Sequence, residues 1–133
     1  MILIDTSAWV EFLRDSGSLV CDRVDELLAK DVAICDAIRM EVLAGARDEY
    51  QLHQLRRLLA RATVLPTGPA DYEEAAAIYR QCRRRGETVR KLIDCLIGAV
   101  AMSAEVAVLH RDADFDVIAR HTELRLDTTG RDS

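Results

Sequence analysis

The first nine residues, Met-Ile-Leu-Ile-Asp-Thr-Ser-Ala-Trp (1–9), are the stretch from which the fold can be worked out. The apolar run 1–4 stops abruptly at Asp5, and the small hydroxyl residues Thr6 and Ser7 follow. This is the pattern of a buried strand that runs directly into the N-terminus of a helix. The sequence therefore predicts a first strand over residues 1–4 and a first helix over residues 8–15.

The same alternation of short apolar segments and helical periodicity continues along the chain. The predicted later strands are 32–35, 63–66, 106–109 and 124–126, and the later helices are 19–30, 37–46, 50–62, 70–85, 89–103 (capped by Thr88) and 115–120. Apolar strands that alternate with helices are typical of a parallel sheet covered on both faces. We predict an α/β fold, with residues 1–133 as a single three-layer α/β/α domain around a mainly parallel sheet and residues 128–133 as a frayed tail.

The composition is that of a compact domain, with 50% apolar residues, 18 basic and 23 acidic side chains and a formal charge of −5. This acidity excludes a generic polycationic nucleic-acid coat. The four cysteines have no Cys-x-x-Cys pair and no zinc-finger spacing, so we expect reduced, buried thiols without a function. No apolar run approaches the ~20 residues of a membrane span. Because no positive leader precedes Asp5 either, we expect a cytoplasmic protein without a membrane partner.

Two acids follow predicted strands. Asp5 comes directly after the first strand, and Asp112 follows strand 106–109 after two intervening residues. Ligands of open parallel sheets bind at the carboxyl ends of the strands, so both positions are candidates for a site. Taken alone, Asp5 is better explained as a helix N-cap and Asp112 as a solvated loop acid.

Two further acids interrupt apolar helix surfaces. Glu41 shares its helix face with small and apolar residues and has no salt-bridge partner one turn away. Asp94 lies in the most apolar helix, where the competing explanation is an ion pair with Arg90 or Lys91 one turn earlier. A buried, unpaired carboxylate is costly, and a bound cation would remove that cost. Together with Asp5 and Asp112, these acids are what a site for hard cations such as Mg²⁺ or Mn²⁺ requires.

With these acids named, the chain resembles the PIN-domain ribonucleases, and most closely the VapC toxins of type II toxin–antitoxin pairs. The resemblance covers nearly the whole length. It rests on the order and spacing of four segments: residues 1–9, the Glu41 helix at 38–45, Asp-Cys-Leu-Ile at 94–97 and His-Arg-Asp-Ala-Asp-Phe at 110–115.

The resemblance implies a metal-dependent endoribonuclease that hydrolyses RNA phosphodiester bonds with a metal-activated water. The implied catalytic residues and ligands of one or two Mg²⁺ ions, or Mn²⁺ as a substitute, are Asp5, Glu41, Asp94 and Asp112. Asp114 matches a supporting acid and is a further candidate metal ligand, and Thr6 or Ser7 matches a hydroxyl near the metal. The implied partners are an RNA of the tRNA or rRNA class, a cognate VapB-type antitoxin and a second copy of the chain. Apolar helix surface for such a homodimer is expected at Leu13, Leu19, Leu55 and Leu58.

Cations have to supply the RNA contacts, because an acidic quartet repels a phosphodiester until metal binds. The candidates for RNA binding are Arg83, Arg84, Arg85, Arg90, Lys91 and Arg111. A run of this kind can guide a phosphate backbone. A solvated helix end, whose cations complement the helix dipole, explains Arg83 to Arg85 equally well.

Two alternatives use the same acids. A receiver-like signalling domain also gathers acids and Mg²⁺ at strand ends, but it requires an acid pair after the first strand and a lysine after a late one. An aspartyl-nucleophile phosphatase has a second acid two residues after the first, where this chain has Ser7.

Overall fold

The computed structural model describes residues 1–129, so the end of the predicted tail, 130–133, lies outside the described residues. The strands are β1 (Ile2–Ile4), β2 (Val32–Cys35), β3 (Thr63–Leu65) and β4 (Ala107–Leu109). The helices are α1 (Thr6–Leu13), α2 (Leu19–Leu28), α3 (Asp36–Ala44), α4 (Glu49–Leu59), α5 (Pro69–Arg84), α6 (Leu92–Ser103) and α7 (Ala113–His121). In this part of the chain, no helix is both long enough and apolar enough to cross a bilayer.

The strands form one parallel sheet in the order β3-β2-β1-β4. β1 lies between two neighbours, so that Ile2 pairs with Val32 on one side and with Ala107 on the other. Because the strands run in one direction, the residues that follow β1, β2 and β4 meet at the same edge of the sheet. The predicted α/β/α fold with a parallel central sheet is confirmed.

Strands β1, β2 and β4 are largely buried, as their continuous apolar runs predicted, whereas Thr63 and Val64 of the edge strand β3 are exposed. All four residues of β2 are buried, and Trp9 and Phe115 are the largest fully buried side chains. Trp9 also meets the edge of Phe12, with the ring centroids 6.4 Å apart. All four cysteines are free and buried, as expected.

The predicted apolar surface for a second copy is smaller than expected. Leu55 is only 6% exposed and belongs to the core, because its side of α4 packs against the rest of the domain. Leu58 is half-buried, whereas Leu13 and Leu19 are exposed.

The prediction that Thr88 caps the sixth helix was wrong. Helix α6 begins at Leu92, and Lys91 is its N-cap residue. The backbone N–H groups of Arg90 and Lys91 donate to the Asp114 carboxylate, at 3.0 and 2.9 Å, and this long-range anchor holds the preceding segment as a loop. Helical periodicity could not reveal a partner that lies 23 residues further along the chain.

The predicted last strand, 124–126, is reduced to a single parallel bridge between Val108 and Leu126. Two backbone hydrogen bonds join this segment to β4, from the Val108 N–H to the Arg125 carbonyl at 3.0 Å and from the Asp127 N–H to the Val108 carbonyl at 2.8 Å. Arg23 also holds the Asp127 carboxylate with two hydrogen bonds, of 3.2 and 2.9 Å.

Candidate metal-binding site

The structure brings the four predicted acids to one edge of the sheet, although Asp5 and Asp112 are far apart in sequence. The backbone N–H of Asp5 donates to the Leu109 carbonyl at 2.9 Å, which joins the ends of β1 and β4. Asp94, in the first turn of α6, places a carboxylate oxygen within 4.8 Å of oxygens of Asp112 and Asp114. The charges of Glu41 and Asp94 interact with that of Asp5, so the acids form one electrostatic cluster.

Asp5 and Asp94 are almost completely buried, at 2% and 1% exposure, as is Asp114 at 2%. Asp5 Oδ2 accepts hydrogen bonds from the Ser7 N–H at 3.0 Å and the Ser7 hydroxyl at 2.6 Å. Within residues 1–129, Asp5 Oδ1 and Asp94 Oδ2 are buried and have no hydrogen-bond donor. A buried acceptor without a donor is uncommon and calls for a ligand, and carboxylate oxygens are the ligands that Mg²⁺ and Mn²⁺ prefer. The residues present therefore fit a divalent cation.

The pKa values of these two acids reflect their burial. Removal from water raises the pKa of Asp5 above its usual value, and the Glu41 charge adds to this, although the Ser7 hydrogen bonds oppose it. Burial raises the pKa of Asp94 to about 8, with further contributions from the Asp5 charge and a hydrogen bond shared with Asp114. Without a metal, Asp94 is therefore protonated in a large part of the molecules at neutral pH.

Asp112 and Asp114 remain ionised because cations and amides contact them. Burial disfavours the charge of Asp112, but the Lys91 ammonium at 2.7 Å, the Asp114 amide and the Arg90 guanidinium at 3.0 Å outweigh it and lower its pKa. Burial also tends to raise the pKa of Asp114. The hydrogen bonds from the backbone N–H groups of Arg90 and Lys91 outweigh this effect, so its pKa is lowered.

Asp114 differs from Asp5, Asp94 and Asp112 in that its carboxylate mainly holds the backbone of a neighbouring loop. Both of its oxygens accept backbone hydrogen bonds at the start of α6, and Arg90 Nε lies 3.3 Å from Oδ1. Its lone pairs are thus directed largely at protein donors, which makes it an anchor for the loop before α6. At the other end of this loop, Glu87 binds Arg120 and His121 of α7, and these hydrogen bonds lower the pKa of Glu87 to about 2.

The two hydroxyl residues after β1 connect the acids to the scaffold. Thr6 Oγ1 donates a hydrogen bond to Glu41 Oε1 at 2.7 Å. Glu41, which has no salt-bridge partner one turn away on its own helix, therefore has a hydrogen-bond partner on α1. The Ser7 hydroxyl accepts the Arg111 backbone N–H at 2.8 Å and donates to Asp5, so it ties the loop after β4 to that acid. Both hydroxyls orient carboxylates.

Replacing Ser7 with alanine is expected to lower metal affinity about 10- to 100-fold, the range seen when a residue that orients a ligand is lost. Asp5 would lose its shortest hydrogen bond and the link to Arg111, while the fold would be retained because Ser7 is only partly buried. Titration with Mn²⁺ measures the effect. The matched control is Ser103→Ala, which removes an exposed hydroxyl at the end of α6; equal affinities of the two variants would contradict the assigned role.

The predicted RNA-binding cations separate into two groups. Arg83, Arg84 and Arg85 are exposed, and the structure of residues 1–129 shows no ion pair for them. Arg90 and Lys91 instead contact the acid cluster, and Arg111 pairs with Glu11 at 3.1 Å. The sequence showed Lys91 three residues before Asp94, but not the contacts of Arg90 and Lys91 with Asp112, which join separate parts of the chain.

The fold and the site define a parallel α/β/α domain with a cluster of acids at the carboxyl edge of its sheet. The PIN domain family matches residues 2–121, and the chain belongs to this family. Over 129 residues it is 49% identical to ribonuclease VapC11 of Mycobacterium tuberculosis, a match that covers 94% of this chain and 96% of that protein. The resemblance to VapC-type PIN-domain ribonucleases is thereby confirmed.

Solved structures show the same fold at lower identity. VapBC-1 from nontypeable Haemophilus influenzae aligns with a TM-score of 0.77 and 17% identity, over 98% of this chain and 100% of that chain. VapC20 of Mycobacterium tuberculosis, described as a sarcin–ricin loop cleaving toxin, aligns with a TM-score of 0.66 and 20% identity, over 94% and 99%.

Proposed function

We propose that this protein is a Mg²⁺-dependent endoribonuclease, able to use Mn²⁺, and that it acts in the cytoplasm as the toxin of a toxin–antitoxin pair. The observation that carries the proposal is the presence of two buried carboxylate oxygens without donors, Asp5 Oδ1 and Asp94 Oδ2. Asp94 lies at metal-binding distance from Asp112 and Asp114, and its charge interacts with that of Asp5. The cluster occurs in a chain 49% identical to a protein named ribonuclease VapC11. The family membership leaves the receiver-like and phosphatase alternatives without support.

Asp5, Asp94, Asp112 and Glu41 are the proposed ligands, and a bound divalent cation would supply an activated water and neutralise the attacked phosphate. Thr6 and Ser7 hold Glu41 and Asp5 in place by hydrogen bonds of 2.7 and 2.6 Å. Asp114 holds the start of α6 and so fixes the position of Asp94. Because a folded-state pKa of about 8 leaves Asp94 partly protonated at neutral pH, loading the site displaces a proton from its carboxyl group.

The proposed substrate is an RNA of the tRNA or rRNA class, because the structural relative VapC20 is a sarcin–ricin loop cleaving toxin. Arg83, Arg84 and Arg85 are the best-placed residues for backbone contacts, because they are exposed and lack acidic partners among residues 1–129. Their charges at the end of α5 form a short basic patch against the net acidity of the chain. Arg90, Lys91 and Arg111 contribute less to RNA binding on this proposal, because they already contact acids.

The proposed partner is a VapB-type antitoxin, since structural relatives include VapBC complexes. A groove of about 440 Å³ runs between α1, α3 and α4 and reaches Glu41 of the acid cluster. Its walls include the apolar residues Val10, Leu13 and Leu55, and Arg14 and Arg47 lie at its side. An antitoxin tail in this groove would cover the path to the acids. A homodimer remains a prediction, to be tested by sedimentation.

Cleavage of total cellular RNA by the purified chain tests the proposal. We expect cleavage with Mg²⁺, loss with EDTA, and recovery when Mn²⁺ is added in excess. Asp5→Asn, at equal concentration, is expected to be inactive because it alters the buried carboxylate that has a free oxygen. Equal cleavage by wild type and Asp5→Asn would instead indicate a contaminating nuclease or a misplaced site, and would refute the assignment.

A further inference from the structure

We infer that Lys91 is a resident cation of the acid cluster, that it competes with the divalent metal for Asp94 and Asp112, and that it thereby sets the metal affinity of the site. This inference rests on the proposed metal site. The sequence suggested that Lys91 contacts RNA. On this inference, Lys91 instead affects metal binding, through its contacts with Asp94 and Asp112.

The contacts of the Lys91 ammonium point to this competition. Its Nζ lies 2.7 Å from Asp112 Oδ2 and 3.7 Å from Asp94 Oδ2. The first distance is that of a charge-assisted hydrogen bond. The second is too long for one, and Asp94 Oδ2 is one of the two buried oxygens without a donor. The ammonium therefore faces the same oxygens that are proposed to bind the metal.

The backbone of Lys91 keeps this charge at the site. Its N–H donates to Asp114 Oδ2 at 2.9 Å, and the residue caps α6 three positions before Asp94. Its side chain, however, is 51% exposed, and a flexible aliphatic chain carries the ammonium. The ammonium can therefore move into solvent while the helix stays in place. Lys91 can thus either pair with the acids or leave them.

Arg90 does not substitute for Lys91. The Arg90 guanidinium contacts Asp112 Oδ1 and Asp114 Oδ1, and neither of these atoms is the Asp112 oxygen that Lys91 contacts. A divalent cation held by Asp94 and Asp112 would share their oxygens with the Lys91 ammonium, and the two positive charges would repel each other at short range. The metal therefore has to displace the ammonium, and the lost pair lowers the apparent metal affinity.

Calorimetric titration with Mn²⁺ alone, at constant ionic strength, tests the inference in the full chain. We expect Lys91→Met to bind Mn²⁺ about tenfold more tightly than wild type, the size of one charge-assisted hydrogen bond. Lys91→Arg keeps the positive charge and should stay close to wild type. Lys30→Met is the matched control, because Lys30, just after the end of α2, carries the same charge in an exposed pair with Glu26, 3.5 Å apart; its Mn²⁺ affinity should not change.

Thermal unfolding in EDTA provides a second measurement. Lys91→Met should unfold at a lower temperature than wild type when metal is absent, because Asp112 loses its closest cation, and it should gain more stability from Mn²⁺. Equal or weaker Mn²⁺ binding by Lys91→Met would overturn the inference. If Asp94→Asn abolishes binding while Lys91→Met leaves it unchanged, the metal site stands and only the role of Lys91 fails. If wild type binds no Mn²⁺, the proposed site itself fails.

Discussion

Asp94→Asn is expected to abolish RNA cleavage, by about 1000-fold or more, and at the same time to make the metal-free protein more stable at alkaline pH. Loss of activity follows because Asp94 is 1% exposed and has a buried oxygen without a hydrogen-bond donor, close to Asp112 and Asp114. A loss of this size matches the removal of a group that a metal-assisted reaction requires. The gain in stability follows because Asp94, with a pKa of about 8, is ionised above that pH, and a buried negative charge destabilises the folded state. The neutral amide of asparagine removes this cost.

These two effects have opposite signs, which separates a functional role from misfolding. A variant that merely unfolds would lose both activity and stability, whereas the substituted amide keeps the shape of the side chain and removes its charge. Cleavage assays in Mg²⁺ and thermal unfolding in EDTA at pH 9 give the two readouts. Asp25→Asn, an exposed acid on α2, is the control for net charge and should change neither. An active Asp94→Asn protein would contradict the proposed site.

The metal-free wild-type protein is expected to lose stability as the pH rises from about 4 to about 8. The folded state raises the pKa of Asp94 from 3.8 to about 8, so in this window the folded chain retains a proton that the unfolded chain has released. The stability that protonated Asp94 contributes to the folded state is therefore fully present below pH 3.8. It is lost as the pH rises through the folded-state pKa of about 8. Asp5, whose pKa is also raised by burial, acts in the same direction.

Unfolding temperatures in EDTA between pH 5 and pH 9 measure this dependence, and we expect a fall of about 10 °C for a chain of this size. Mg²⁺ should restore stability, and more strongly at pH 9, because it binds the deprotonated carboxylates of the folded state. The comparison is Asp94→Asn, whose profile should be flatter. Parallel profiles of the two proteins would show that Asp94 does not carry the dependence.

Both effects have one physical origin, which is the burial of carboxylates that the folded chain only partly compensates. Lys91 and the backbone amides before α6 lower the pKa values of Asp112 and Asp114, whereas Asp5 and Asp94 remain raised. Proteins tolerate such unfavourable groups where function requires them. On the proposed function, the metal supplies the missing compensation.

Local sequence patterns were sufficient to predict the order of the four main strands and the helices, and to identify the acids of interest. Apolar runs and helical periodicity depend on neighbouring residues, so the β1 segment, its turn into α1 at Asp5 and the exceptional positions of Glu41 and Asp94 could be recognised locally. Local patterns indicated a wrong helix start at Thr88, because Asp114, distant in sequence, holds the backbone before α6. They also indicated a full strand at 124–126, where only one bridge to β4 forms.

Which atoms face each other within the site is visible only in the folded chain. Folding directed Thr6 to Glu41 across 35 positions, assigned the oxygens of Asp114 to backbone amides, and placed Lys91 against Asp112 rather than leaving it for RNA. Hydrogen bonds and ion pairs of this kind depend on distances between elements that the sheet and its helices fix only after folding. For this reason the sequence could indicate the acids, whereas their partners, pKa values and free oxygens required the folded chain.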